Sequence, residues 1–214
     1  MIKDKLDLVY RKLYGYFGPQ HWWPAESPFE VMVGAILTQN TNWGNVERAI
    51  ENLKEEKVLA ALKLYKLGHK HLARIIHPTG YYNIKARRLK EFLKFFIKNF
   101  DASINKISRV SLYTLRKELL AVKGIGPETA DSILLYALHK PIFVVDAYTK
   151  RIFSRHGYFK EEATYSEVQN FFMQNTVKSV KLFNEYHALL VRLAKEFCLK
   201  NKPKCADCPI SNIF

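Results

Sequence analysis

An all-α fold in two lobes is predicted by this 214-residue sequence, on three observations. Apolar residues recur at three- and four-residue spacing through most of the chain, the pattern of helices with one buried stripe. Helix-start signals are present, the clearest being Ser27-Pro28-Phe29-Glu30, a capping box with proline at the first helical position. Only Ile142 to Val145 has the short apolar look of a strand, and it is read as an extended connection.

The elements follow in order. The capping box opens a helix that runs to about Gln39. Further helices are expected at about 43–55, 57–66, 70–77, 84–99, 112–122, 127–139, 147–156, 166–176 and 180–198. Residues 25–138 are expected to form one lobe, and residues 1–24 to pack with 139–214 as the other. Hydrophobic residues make up 48% of the chain, enough for a sizeable core. No run approaches the roughly 18 apolar residues of a membrane span. The N-terminus has no signal-peptide pattern, and no internal repeat is evident. The expectation is a monomer away from membranes, in the cytoplasm and associated with the nucleoid.

Charge narrows the partner. Lysine and arginine number 34 against 20 acidic residues, a net charge of +14. Such an excess favours a polyphosphate partner through attraction and counterion release. Lys85, Arg87, Arg88, Lys90, Lys94 and Lys98 share a helix whose Leu89, Phe92, Leu93, Phe96 and Ile97 turn inward. Most of these cations read as a solvated face; Lys85, Arg87 and Arg88 are the candidates for phosphates.

The densest chemistry lies in residues 118–152. Leu115 to Val122 reads as a short helix, and Gly124-Ile125-Gly126 as a turn needing backbone freedom that side chains obstruct. Pro127 then suits the first position of a second helix. Free N–H groups at that helix start can dock a phosphate without sequence preference, so Lys123, Gly124, Ile125, Gly126 and Thr129 are candidate DNA contacts. On the turn alone, a plain helix-helix corner is the alternative. Asp146 sits between the extended run and the helix from Ala147. It reads as an N-cap, as a catalytic carboxylate, or as both, because cap hydrogen bonds and the helix dipole favour the ionised form.

The glycine hairpin followed by Pro127 and Asp146 resembles the helix-hairpin-helix (HhH-GPD) superfamily of DNA glycosylases, over nearly the whole chain. The resemblance implies a two-lobed helical fold with an active-site cleft between the lobes. It implies Asp146 as the catalytic aspartate and double-stranded DNA containing damaged bases as the partner. Leu37-Thr38-Gln39-Asn40-Thr41 looks like the endonuclease III stretch whose glutamine fills the gap left by a flipped base. Gly80-Tyr81-Tyr82-Asn83-Ile84-Lys85-Ala86 looks like the loop that wedges into the duplex, with Tyr81 as the wedge. Asn83 also reads as a helix cap, and Gln39 as the end of its own helix.

Residue 128 bears on the reaction. Members resembling endonuclease III carry a lysine there that forms a Schiff base with the sugar, whereas this chain has Glu128. A carboxylate forms no imine, so the expected enzyme is a monofunctional glycosylase. Trp22-Trp23-Pro24, the Leu37–Trp43 stretch and the hairpin together look like the 3-methyladenine DNA glycosylase branch, which also has glutamate at this place. That likeness puts Trp22, Trp23, Pro24, Trp43 and Glu128 in the base pocket, where stacking and cation–π attraction suit an electron-poor alkylated purine. Ordinary packing of the tryptophans is the alternative.

Cys198, Cys205 and Cys208 match the spacing of three of the four ligands of the endonuclease III [4Fe–4S] loop. The fourth position holds Phe214. Three readings stand: a cluster with one non-cysteine ligand, such as the Phe214 carboxylate; a metal such as zinc; or free thiols.

Overall fold

The computed structural model describes residues 2–213, and none of them forms a strand. The helices in chain order are α1 (Ile2–Phe17), α2 (Pro28–Leu37), α3 (Trp43–Glu55), α4 (Ala61–Lys66), α5 (His69–Ile75) and α6 (Tyr82–Phe100). They continue with α7 (Ile104–Ser108), α8 (Leu112–Ala121), α9 (Pro127–Ser132), α10 (Ala147–Arg155), α11 (Tyr165–Asn175) and α12 (Val180–Glu196). The chain divides into two compact units, Ala25–Lys140 and Met1–Pro24 with Pro141–Phe214. The later division falls two residues beyond the place expected from the sequence.

In the unit Ala25–Lys140, α2 is apolar apart from Glu30 and buried from Glu30 to its end, with Val31, Met32, Val33, Ile36 and Leu37 in the core. Its start is the capping box in part: Ser27 accepts the Glu30 N–H at 3.2 Å. Helices α3, α6 and α9 pack against it. Ala86, Leu89, Phe92, Leu93 and Phe96 of α6 recur at helical spacing and are buried. After α9 the chain continues as a π-helical turn, Ile133–Ala137, closed by Leu138 N–H to the Ile133 carbonyl at 3.1 Å. All five side chains of that turn are buried, so packing overrides the regular helix expected to 139.

In the other unit, Phe143 and Phe172 stack with centroids 4.0 Å apart, and Phe153 meets Phe172 edge-on at 4.9 Å. The Tyr186 hydroxyl of α12 donates to the Leu6 carbonyl of α1 at 2.9 Å. Neither α1 nor α7 was predicted as a helix. In α1 the buried stripe is only Leu6, Val9 and Leu13 among charged neighbours; α7 is a five-residue turn capped by Ser103, too short to show a period.

The Pro141–Val145 run is extended without being a strand because side chains of one face of α11 satisfy its backbone. Gln169 donates to the Phe143 carbonyl at 2.7 Å, and the Val145 N–H reaches the Tyr165 hydroxyl at 3.4 Å. A helix face does the work a neighbouring strand would do.

Candidate active site

In the unit carrying residues 141–214, Asp146 ends the extended run and caps α10. Its Oδ1 accepts the Thr149 N–H at 2.7 Å, so the cap expected from the sequence is formed. Its Oδ2 lies 3.5 Å from His187 Nε2 of α12, and the Asp146 side chain is only 12% exposed. Burial pushes the carboxyl pKa up; the His187 charge and contact, with the Thr149 N–H, more than offset that and leave it below the usual carboxylate value. Asp146 is therefore a carboxylate kept ionised while nearly out of water. The Trp22 ring lies 6.3 Å from the His187 ring, and Trp22 and Trp23 meet edge-on at 6.2 Å. The Trp22 indole N–H is buried with no hydrogen-bond partner among the described residues, and Pro24 beside this pair is exposed.

His187 had no place in the sequence reading. It lies on the buried stripe of α12 with Phe183, Tyr186, Leu190 and Ala194. A titratable residue on an otherwise apolar stripe was the available signal.

In the unit Ala25–Lys140, the hairpin joins α8 to α9. Gly124 has φ +91°, and a Cβ there would lie 2.4 Å from Cγ of Arg88, so this glycine is required twice over. Gly126 is the N-cap and Pro127 the first helical residue of α9, as predicted. Beneath the turn, Arg116 of α8 grips buried Asp131 of α9 through two bonds of 2.7 and 3.0 Å. Ile125 is buried as an anchor, so this DNA-contact candidate offers its backbone and not its side chain. Lys123 and Glu128 are exposed, Glu128 in the first turn of α9.

Gln39 reaches across to this turn. Its amide donates to the Gly124 carbonyl at 3.1 Å and to Thr129 Oγ1 at 2.9 Å, while its oxygen accepts a short hydrogen bond from Arg88. It does not cap its own helix, which ends at Leu37 with Thr38 as cap. Thr129 is buried and its hydroxyl is taken up by Gln39, so it supports the hairpin from behind.

Two sequence expectations are corrected here. Lys85 is not a phosphate contact: it is 1% exposed, and its Nζ donates to the carbonyls of Leu37 at 2.8 Å and Thr79 at 2.7 Å. Burial, aided by the neighbouring Arg88 charge, pulls its pKa down to about 8. Asn83 does not cap α6, which already begins at Tyr82; the cap is Tyr81 in the left-handed region at φ 45°. Tyr81 itself stands 69% exposed. Trp43 opens α3 directly after the Asn42 cap and is half-buried.

The cysteine loop does not fit a four-thiolate cluster. The whole chain has three cysteines, and the described residues hold no group of three His, Cys, Asp or Glu side chains arranged for a metal. The suggested Phe214 carboxylate ligand lies outside the described residues. Arginines of α10 hold the loop instead. Arg155 donates to Cys198 Sγ at 3.4 Å and to the carbonyls of Leu199 and Lys200 at 2.7 and 2.8 Å. Arg151 donates to the Cys198 carbonyl at 2.8 Å.

Comparison with known proteins agrees with this architecture. The family described as HhH-GPD superfamily base excision DNA repair protein matches residues 33–178. A Methanocaldococcus jannaschii protein provisionally named as a DNA repair glycosylase is 50% identical over 215 residues, spanning 98% of this chain and 97% of its own length. The H. pylori 3-methyladenine DNA glycosylase, solved with 1,N6-ethenoadenine bound, superposes with a TM-score of 0.77 at 32% identity, covering 91% of this chain and 96% of that one. Endonuclease III trapped on DNA superposes with a TM-score of 0.83 at 20% identity, covering 97% and 92%, a likeness of fold. The chain belongs to the HhH-GPD superfamily of base excision DNA repair proteins and is an endonuclease III-like DNA glycosylase.

Proposed function

We propose that the protein is a monofunctional glycosylase that flips and hydrolytically removes alkylated purines of the 3-methyladenine type. The observation that carries this reading is the pair of carboxylates at its two chemical positions: Asp146 ionised and nearly buried, and Glu128 where a lyase needs an amine. Breaking the N-glycosidic bond sends the bonding electrons to the leaving base and leaves an electron-poor C1′. Asp146 stabilises that cation, and water then adds to C1′ and gives its proton to the carboxylate. Lys85, whose pKa is depressed, cannot stand in as nucleophile, because it is enclosed and bonded to two carbonyls. Trp22 and Trp23 supply aromatic surface for a cationic alkylated base. The sequence likeness to the H. pylori 3-methyladenine enzyme supports the same substrate class.

The test is release of free bases from methylated duplex DNA by wild type beside Asp146→Asn, with strand nicking scored before and after alkali. The expected result is 3-methyladenine release that falls at least about 100-fold in the variant, with nicks only after alkali. Asparagine preserves the helix cap, so a folding defect is not expected. Release of uracil or a mismatched base in place of alkylpurines would overturn the substrate class. Nicks without alkali, or an adduct trapped by borohydride, would overturn the monofunctional mechanism.

A further inference from the structure

The two oxygens of Asp146 are treated differently. Oδ1 takes a short bond from the backbone of its own helix, whereas Oδ2 faces the His187 imidazole at 3.5 Å, longer than a normal N–H···O bond. A short bond from His187 would occupy one of the two lone pairs of Oδ2 and lower its basicity toward the proton of the attacking water. At this separation the imidazole still acts on the carboxylate electrostatically, in surroundings that screen it weakly because both side chains are at most 12% exposed. His187 is itself placed firmly. Helix α12 packs on both α10 and α1, Tyr186 beside it is bonded to α1, and the Trp22 ring lies across the imidazole.

We propose that His187 is a positioning residue for Asp146, holding the carboxylate ionised and aimed while leaving Oδ2 available to the reacting water. This rests on the reading of Asp146 as the catalytic carboxylate. The groups that act on Asp146 are His187 from α12 and Thr149 from its own helix. Across the elements packed on α12, Asp7 of α1 and Tyr158 act on Tyr186, and Arg151 of α10 is bonded to carbonyls at the far end of α12. A separate hydrogen-bonding duty for His187 in the core would be lost with the imidazole too, so the test must read Asp146 itself.

The experiment titrates the Asp146 carboxyl carbon by NMR in wild type, His187→Phe and His187→Gln, all in the full chain. It also measures single-turnover base release from methylated DNA across pH 5 to 9. His187→Phe keeps a ring without a donor and is expected to raise the Asp146 pKa by about one unit or more, since burial then acts with less opposition. The acid limb of the rate profile moves to higher pH by the same amount. The plateau falls about tenfold while affinity for undamaged duplex stays within about twofold. His187→Gln, which restores an N–H donor, recovers part of both effects. A folded His187→Phe with unmoved Asp146 titration overturns the proposal. If that variant does not fold, a folded His187→Leu protein with unmoved Asp146 titration overturns it equally. The NMR titration needs no substrate, so absence of release from methylated DNA would count against the proposed function and leave this inference to the titration.

Discussion

Gly124→Ala tests the hairpin where the structure makes its most quantitative demand. At φ +91° an L-residue is strained by roughly 1–2 kcal/mol. The new methyl would also fall 2.4 Å from Arg88 Cγ and 3.2 Å from its Cβ, too deep in the side chain for the guanidinium alone to swing aside. Arg88 must change rotamer and release Gln39, forfeiting a charge-assisted bond worth about 1 kcal/mol at this partly exposed position. The total expected loss is about 2–3 kcal/mol. Arg88→Ala alone removes that bond and costs about 1 kcal/mol. In the Arg88→Ala background the 2.4 Å clash with Cγ is gone and only the Cβ of residue 88 stays near, at 3.2 Å, so Gly124→Ala should cost its φ strain and little more. Urea unfolding of the four proteins should therefore give a coupling energy of about 1 kcal/mol. Binding of undamaged duplex should weaken for Gly124→Ala, with a salt slope shallower by about one, as a phosphate seat is lost. Additivity within about 0.3 kcal/mol would refute the claim that Arg88 walls the turn.

Three further outcomes follow from the described contacts. For Lys85→Met, the stability difference from wild type should depend on pH: the folded pKa of about 8 lies below the ordinary 10.5, so unfolded chains bind more protons between those values. Wild type should thus gain on the variant as pH rises from 8 to 10.5, by up to about 3 kcal/mol, and a flat difference in urea midpoints across that window would contradict the buried amine. Arg116→Ala leaves the fully buried Asp131 carboxylate without its guanidinium and should cost about 3–5 kcal/mol, read as a large drop in thermal midpoint. Elemental analysis of the protein as purified should find well under one iron per chain, as the three-thiol loop lacks a complete ligand set; about four irons would show a non-cysteine ligand.

The parts of the site that could be read in the sequence are those set by local rules. Gly124, Gly126 and Pro127 are dictated by turn geometry and by what a helix start tolerates, within a few residues of chain. Asp146 as a cap needed only the change from an extended run to a helix. The misses needed three dimensions. Lys85 was read as a phosphate contact beside Arg87 and Arg88, because sequence alone does not show that two carbonyls converge on its ammonium. Asn83 was read as a cap because asparagine favours that role, yet the left-handed Tyr81 started the helix earlier. His187 is 41 positions from Asp146 in the numbering, and only the packing of α12 on α10 brings them together. Gln39 was picked out by likeness, but its bonds to a turn some 85 residues away could not be.

The arginines of α10 tie the cysteine loop to the helix that Asp146 caps. Asp146 is the N-cap of that helix, and Arg151 and Arg155 lie on its later turns. Arg151 is bonded to the carbonyls of Ala194 and Cys198, and Arg155 to those of Leu199 and Lys200, so the helix is tied to the end of α12 and the chain beyond it. His187 sits two turns earlier on the same α12 and faces Asp146 at the other end of α10. The carboxylate and the imidazole are therefore held by one pair of helices cross-linked near both ends. Charge-assisted bonds such as these are stronger than bonds between neutral groups. These bonds fix the axis of the helix that Asp146 caps.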